Sequence, residues 1–103
     1  MFAVITHVRL KPGRIDDVRE RFRRTTPPLV AEQEDWVSVT FAANRRDDEV
    51  TIIARWKNAD SYRAFAAGDA YKAAMAELSQ YFGHPPTIDV NEILVELGSP
   101  SGS

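Results

Sequence analysis

The sequence contains no cysteine. That excludes disulfide cross-links, thiolate nucleophiles and cysteine-held metal centres. Histidine is nearly as scarce: two in the chain, His7 and His84. They do not make a metal site by themselves, because zinc or iron needs further ligands converging on them. No apolar run approaches the roughly 20 residues that a helix needs to cross a bilayer. The opening MFAVITHVRL is too short, and too interrupted by His7 and Arg9, to read as a signal peptide. An excess of one charge is missing too: 13 Lys and Arg against 15 Asp and Glu leave −2. The basic run RERFRR lies beside Asp16, Asp17 and Glu20, so the imbalance is not even local. Such a chain has no general attraction for nucleic acid or an anionic membrane. The expectation is a cytoplasmic protein without either partner.

What is present is the composition of an ordinary globular domain, with 44% hydrophobic and 27% charged residues. A chain of 103 residues has room for a single core. One domain is expected over residues 1–97, followed by a disordered tail, GSPSGS, over 98–103, which has no side chain able to hold it in a core. Within the domain, apolar residues alternate from Phe2 to Leu10 with side chains of both faces involved, a strand that Pro12-Gly13 stops. Ile15, Val18 and Phe22 then recur at helical spacing, with Asp16 and Asp17 in the first turn where the helix dipole favours them. The TTPP at 25–28 predicts a break, since proline lacks the N–H and its ring clashes with the preceding turn. A second short helix through Glu34, capped by Thr26, is expected after it. Trp36 to Ala43 and Val50 to Trp56 read as strands joined by the polar hairpin loop NRRDDE. Asn58 is placed to cap the next helix, Gly68-Asp69 to kink it, and Tyr71 to Phe82 to continue it. Ile88 to Leu97 reads as the last strand.

The order is β-α-β-β-α-β, an α+β ferredoxin-like domain with a four-stranded antiparallel sheet and helices on one side. The first and third strands nevertheless carry apolar residues on both faces: Ala3 and Ile5 oppose Phe2 and Val4, and Ile53 opposes Ile52, Ala54 and Trp56. Helices cover a single face, so the other is expected to be covered by a second copy of the chain. The stretch IIARWKNADSYRAF poses a separate question. A strand ends on tryptophan just where a helix begins, so Trp56 either plugs a core or lines a pocket between sheet and helix.

The LKPG closing the first strand, the RW closing the third, and the helix SYRAF…AYKAAM resemble the antibiotic biosynthesis monooxygenase family. The resemblance spans Phe2 to Leu97. It implies a homodimeric α/β barrel in which two such sheets pack face to face, and a pocket between sheet and helices on which Trp56 lies. It implies a monooxygenase acting on a small aromatic, quinol-like or polyketide-like molecule without metal, flavin or haem. By position it puts Thr6, Trp56 and Met75 at the pocket. A phenol or quinol would further need a flat aromatic slot and a polar group for its oxygen, which makes Trp56, Tyr62 and Thr6 the catalytic candidates and Phe22, Phe65, Tyr71 and Met75 the substrate-binding wall. Haem-degrading relatives place an asparagine and a histidine where this chain has Thr6 and Met75, so haem chemistry is disfavoured. His7 has the parity of the dimer face and His84 lies in a proline loop. Arg55 points towards the dimer face, as an ion-pair partner. Aromatic residues at helical spacing also build ordinary cores. The alternative reading is therefore a non-catalytic, small-ligand-binding or stress-related relative.

Overall fold

A computed structural model of the chain describes residues 1–98. Residues 99–103, most of the expected tail, lie outside it. Strand β1 (Phe2–Arg9) is followed by helix α1 (Ile15–Val30), strands β2 (Trp36–Asn44) and β3 (Glu49–Trp56), helices α2 (Ala59–Ala66) and α3 (Asp69–Ser79), and strand β4 (Thr87–Glu92). The four strands form one antiparallel sheet in the order β2-β3-β1-β4. This is the expected ferredoxin-like arrangement, with its second helix divided in two. Gly68 makes the division: its backbone is extended, and a Cβ there would lie 3.3 Å from the Phe65 carbonyl oxygen.

The parity read from the sequence sets the core. Val4, Thr6 and Val8 of β1 and Val50 and Trp56 of β3 are buried on the helix side. Val8, Leu10 and Val50 pack with Ile15 and Val18 of α1 and Leu78 of α3 in one cluster; Val4, Trp56 and Tyr62 form a second. The opposite face of the sheet carries Ala3, Ile5, Thr51 and Ile53, with no element of the described chain laid across its centre. Its rim is polar. His7 is hydrogen-bonded to Thr51 at 3.0 Å and lies 3.2 Å from Glu49, which also pairs with Arg9.

Four expectations need correction. The TTPP stretch does not break α1, which continues through Pro27 and Pro28 to Val30. Both prolines and Arg23 and Arg24, whose carbonyls lose their helical donors, lie on the outer side of the helix, so water can satisfy those groups. The apolar stripe of Val18 and Phe22 meanwhile runs on to Leu29 and Val30 at helical spacing. Tertiary burial of that stripe outweighs the local penalty. No second short helix to Glu34 forms. The last strand ends at Glu92 rather than Leu97, because its partner β1 runs out: Phe2 pairs with Glu92, and the Ile93 N–H bonds to the Met1 carbonyl. Leu94, Val95 and Leu97 beyond it are 82%, 76% and 90% exposed. The helix expected to reach Phe82 stops at Ser79, after which Phe82 bridges Leu10 and Gly83 closes on the end of β1.

The turns follow their chemistry. Gly13 and Asp48 both take left-handed backbone angles, and the Asp48 carboxylate accepts from the Gly13 N–H while its carbonyl accepts from Leu10. Asn58 caps α2 as expected, accepting from the Ser61 N–H at 2.8 Å. Its amide also donates to the Asp35 carboxylate at 2.8 Å. Asn58→Ala removes both bonds, and the expected cost is about 1 kcal/mol, a fall of about 4–8 °C in thermal midpoint for a domain of this size. Circular dichroism melts of the two proteins check this; an unchanged midpoint would contradict it.

Candidate functional site

Between the helix side of the sheet and the three helices lies a cavity of about 90 Å³. Thr6, Phe22, Trp56, Tyr62, Phe65, Tyr71 and Met75 all stand on its wall. The fold thus brings together every site residue that the sequence suggests. Trp56 is 1% exposed. One flank is packed, with the Tyr62 ring edge-on at 5.8 Å and the Phe65 ring tilted at 5.2 Å. Tyr71 continues the chain of rings, edge-on to Phe65 at 5.3 Å. Trp56 therefore has both of the roles open to it: the indole is packed on its α2 side and borders the cavity as well.

The wall also holds residues that sequence reasoning misses: Thr25, Thr26, Leu29 and Val30 of α1, and Trp36 and Val39 of β2. The expected break at TTPP hides the first group, although the stripe passing through Phe22 points to it. Parity hides Trp36. In a regular strand it would share a face with Ser38 and Thr40, away from Val39 and Phe41. A bulge between Trp36 and Ser38 adds one residue, so that Trp36 stands opposite Trp56 while Val39 still stands opposite Ala54. The bulge re-aims the indole onto the cavity.

Asp35 holds this corner. Its carboxylate accepts from the Asn58 amide and from the Ser61 hydroxyl, and its carbonyl accepts from the Lys57 N–H at 2.8 Å. These donors hold its carboxyl below the usual carboxylate range, the Ser61 hydroxyl first and the Asn58 amide second. The knot fixes the start of β2 against the start of α2, and so sets the distance between the two tryptophans.

Among the described residues, the lining carries no charged side chain and no histidine. Its polar groups are hydroxyls and indoles. Burial, and then the neighbouring Tyr62 phenol, push the Tyr71 hydroxyl well above its ordinary value, so Tyr71 is a neutral hydrogen-bond donor across the physiological range. The site can hold a flat apolar ring, shield it from water and donate to an oxygen on it. None of its lining side chains acts as a base near neutral pH. Arg55 does not join it: it pairs with Glu96, and its Nε is buried without a partner among the described residues. His7 lies on the other face of the sheet, and His84 is exposed in the loop after α3.

The chain belongs to the antibiotic biosynthesis monooxygenase family, whose profile matches residues 1–77. It is similar to the heme-degrading monooxygenase HmoA of Bacillus subtilis, 30% identical over 76 residues, 71% of this chain and 68% of that one. Its fold is shared with an antibiotic biosynthesis monooxygenase-like protein of Bordetella bronchiseptica, TM-score 0.80 at 16% identity, over 91% of this chain and 97% of that one. It is shared too with SnoaB of Streptomyces nogalater, a cofactor-independent oxygenase, TM-score 0.79 at 17% identity, over 95% and 97%. At such identities the likeness to the solved structures is one of fold. Among the described residues, no helix is long and apolar enough to cross a membrane.

The HmoA likeness raises haem, and the lining does not fit it. Haem iron takes histidine, thiolate, methionine beside histidine, or tyrosinate as its protein ligand. Here Met75 has no histidine near it on the described wall, and the raised Tyr71 hydroxyl resists becoming a phenolate.

Trp56→Phe tests which of the indole's two roles dominates. Trimming a wall that borders a void should cost less than about 1.5 kcal/mol and alter the affinity for small aromatic molecules, read by calorimetric titration. A loss of about 3 kcal/mol or more, with affinity unchanged, would show that the indole is packed core.

Proposed function

We propose that this protein is a cofactor-independent monooxygenase of a small aromatic molecule of quinol or polyketide type, working as a homodimer. The observation that carries the reading is the ring-lined, uncharged cavity on which Trp56, Tyr62, Tyr71 and Thr6 meet. A substrate able to reduce dioxygen by itself asks little of a protein. It needs a flat apolar slot, exclusion of water and a donor for the oxygen on which charge develops. Trp56 and Phe65 supply the slot, with Phe22 and Met75 across it. Tyr62, Tyr71 and Thr6 supply hydroxyls. Because no described lining side chain is a base at neutral pH, the substrate enters as its anion or loses its proton to water. That requirement selects acidic phenols and enols.

The same lack of a base favours a second reading, a binding module that holds an aromatic ligand without transforming it. Oxygen uptake over a panel of phenols and quinols, measured against protein-free autoxidation, tells them apart. Saturable uptake that falls in Tyr71→Phe is expected. Binding without uptake would establish the module instead. A sharp one-to-one hemin complex, degraded on adding a reductant, would overturn both.

The uncovered sheet face supports the dimer. Ile5 and Ile53 sit paired at its centre, and Leu94, Val95 and Leu97 project beyond the sheet next to Glu96, which reaches back to Arg55. A second sheet laid on this face would bury them together, on the scale of the roughly 800 Å² per partner that stable interfaces use. Light scattering at micromolar concentration should give twice the 11.6 kDa chain mass. The monomer mass would contradict the dimer.

A further inference from the structure

The inner cavity is not isolated from the surface between α1 and β2. A groove of about 400 Å³ runs along the outside there. Phe22, Thr26, Val30, Trp36 and Val39 line both spaces, so the outer wall of the cavity is the floor of the groove. The position follows from the topology. β2 is an edge strand of the sheet, so no further strand of the described chain closes the gap beside it. A ligand that spans both spaces passes between these five residues.

The groove differs from the cavity in charge. Arg19 and Arg23, one helical turn apart on α1, line it, and no carboxylate of the described residues does. Arg19 shares Asp16 with Arg45 and touches Glu20, while Arg23 reaches Glu20 at 3.8 Å and is 77% exposed. Three guanidiniums thus face two carboxylates, and Arg23 keeps most of its donors for something else. Arginine presents them in a planar fork that matches a carboxylate.

We propose that the ligand of this site is an aromatic acid, its ring in the cavity that Trp36 and Trp56 line and its carboxylate at Arg19 and Arg23 on the rim of the groove. The inference rests on the binding site proposed above and names the substrate class that fits it. It joins an uncharged ring slot, which offers no cation to pair with a carboxylate, to a cationic rim, which does. The rim is open to water, so its contribution is modest and falls with salt.

The test compares phenylbutyrate with its neutral isostere phenylbutyramide by calorimetric titration of the intact protein. The acid should bind about fivefold more tightly at low ionic strength, as two exposed ion pairs allow. The preference should shrink in about 0.5 M salt, where charges are screened beyond a few ångströms. Arg19→Gln with Arg23→Gln should abolish the preference while leaving amide affinity unchanged, and Arg24→Gln, outside the groove, should leave both ligands as they were. Equal binding of acid and amide by the unaltered protein would overturn the acid-specific rim and leave the cavity as a site for neutral rings. Loss of both ligands in the double variant would overturn it as well, since the arginines would then be structural. If neither ligand binds the unaltered protein while a simple phenol does, the aromatic-acid proposal falls and the ring site stands; if the phenol does not bind either, both proposals fall.

Discussion

The site depends on one carboxylate outside it. Asp35 accepts from the cap residue of α2 and from Ser61 in its first turn, and the residue after it is Trp36. With Lys57 bonded to the Asp35 carbonyl, the end of β3 and the start of β2 are joined at the point where α2 leaves the sheet. Trp36 and Trp56 are therefore held opposite each other by a hydrogen-bonded corner and not by mutual contact alone. A helix on this side can approach the sheet only as closely as these indoles allow. The space left between them, α1 and α3 is the cavity. Stacking interactions then line it: Tyr62 and Phe65 brace Trp56 from behind, and Tyr71 braces Phe65.

The chemistry of the cavity follows from what surrounds it. An uncharged wall makes it costly to bring an ion inside without a partner, and the same burial keeps the Tyr71 hydroxyl protonated. On the proposed function, the protein would hold a reactive ring in a fixed, dry orientation while the ring supplied the electrons. The charged groups are kept elsewhere. One set edges the free face of the sheet, where His7, Arg9, Glu49 and Arg55 lie; the other flanks the groove above α1.

Much of this arrangement is legible in the amino-acid sequence. Strand parity puts Thr6 and Trp56 on the helix side and Arg55 on the other, because period-two alternation is rigid where both faces are distinct. Asn58 is readable as a cap, since its side chain and its position before an apolar helix leave it little else to do. The failures share one cause: burial at a distance overrules a local rule. The two prolines have their full local penalty, but their orphaned carbonyls face water while Leu29 and Val30 gain a core. Trp36 is unreadable because a bulge changes parity with no change in composition. The length of its neighbour β1 sets the end of β4, and alternation within β4 itself cannot reveal that.

The proposed function rests on a single aromatic ring occupying the cavity that Trp36 and Trp56 both line. Nuclear magnetic resonance of the two indole N–H groups during titration with a simple phenol tests it most directly. Both tryptophans line the cavity, from different strands, so both resonances should move together with one dissociation constant. Shifts of Trp36 alone would place the ligand in the outer groove, and no shift of either at saturating phenol would contradict the account.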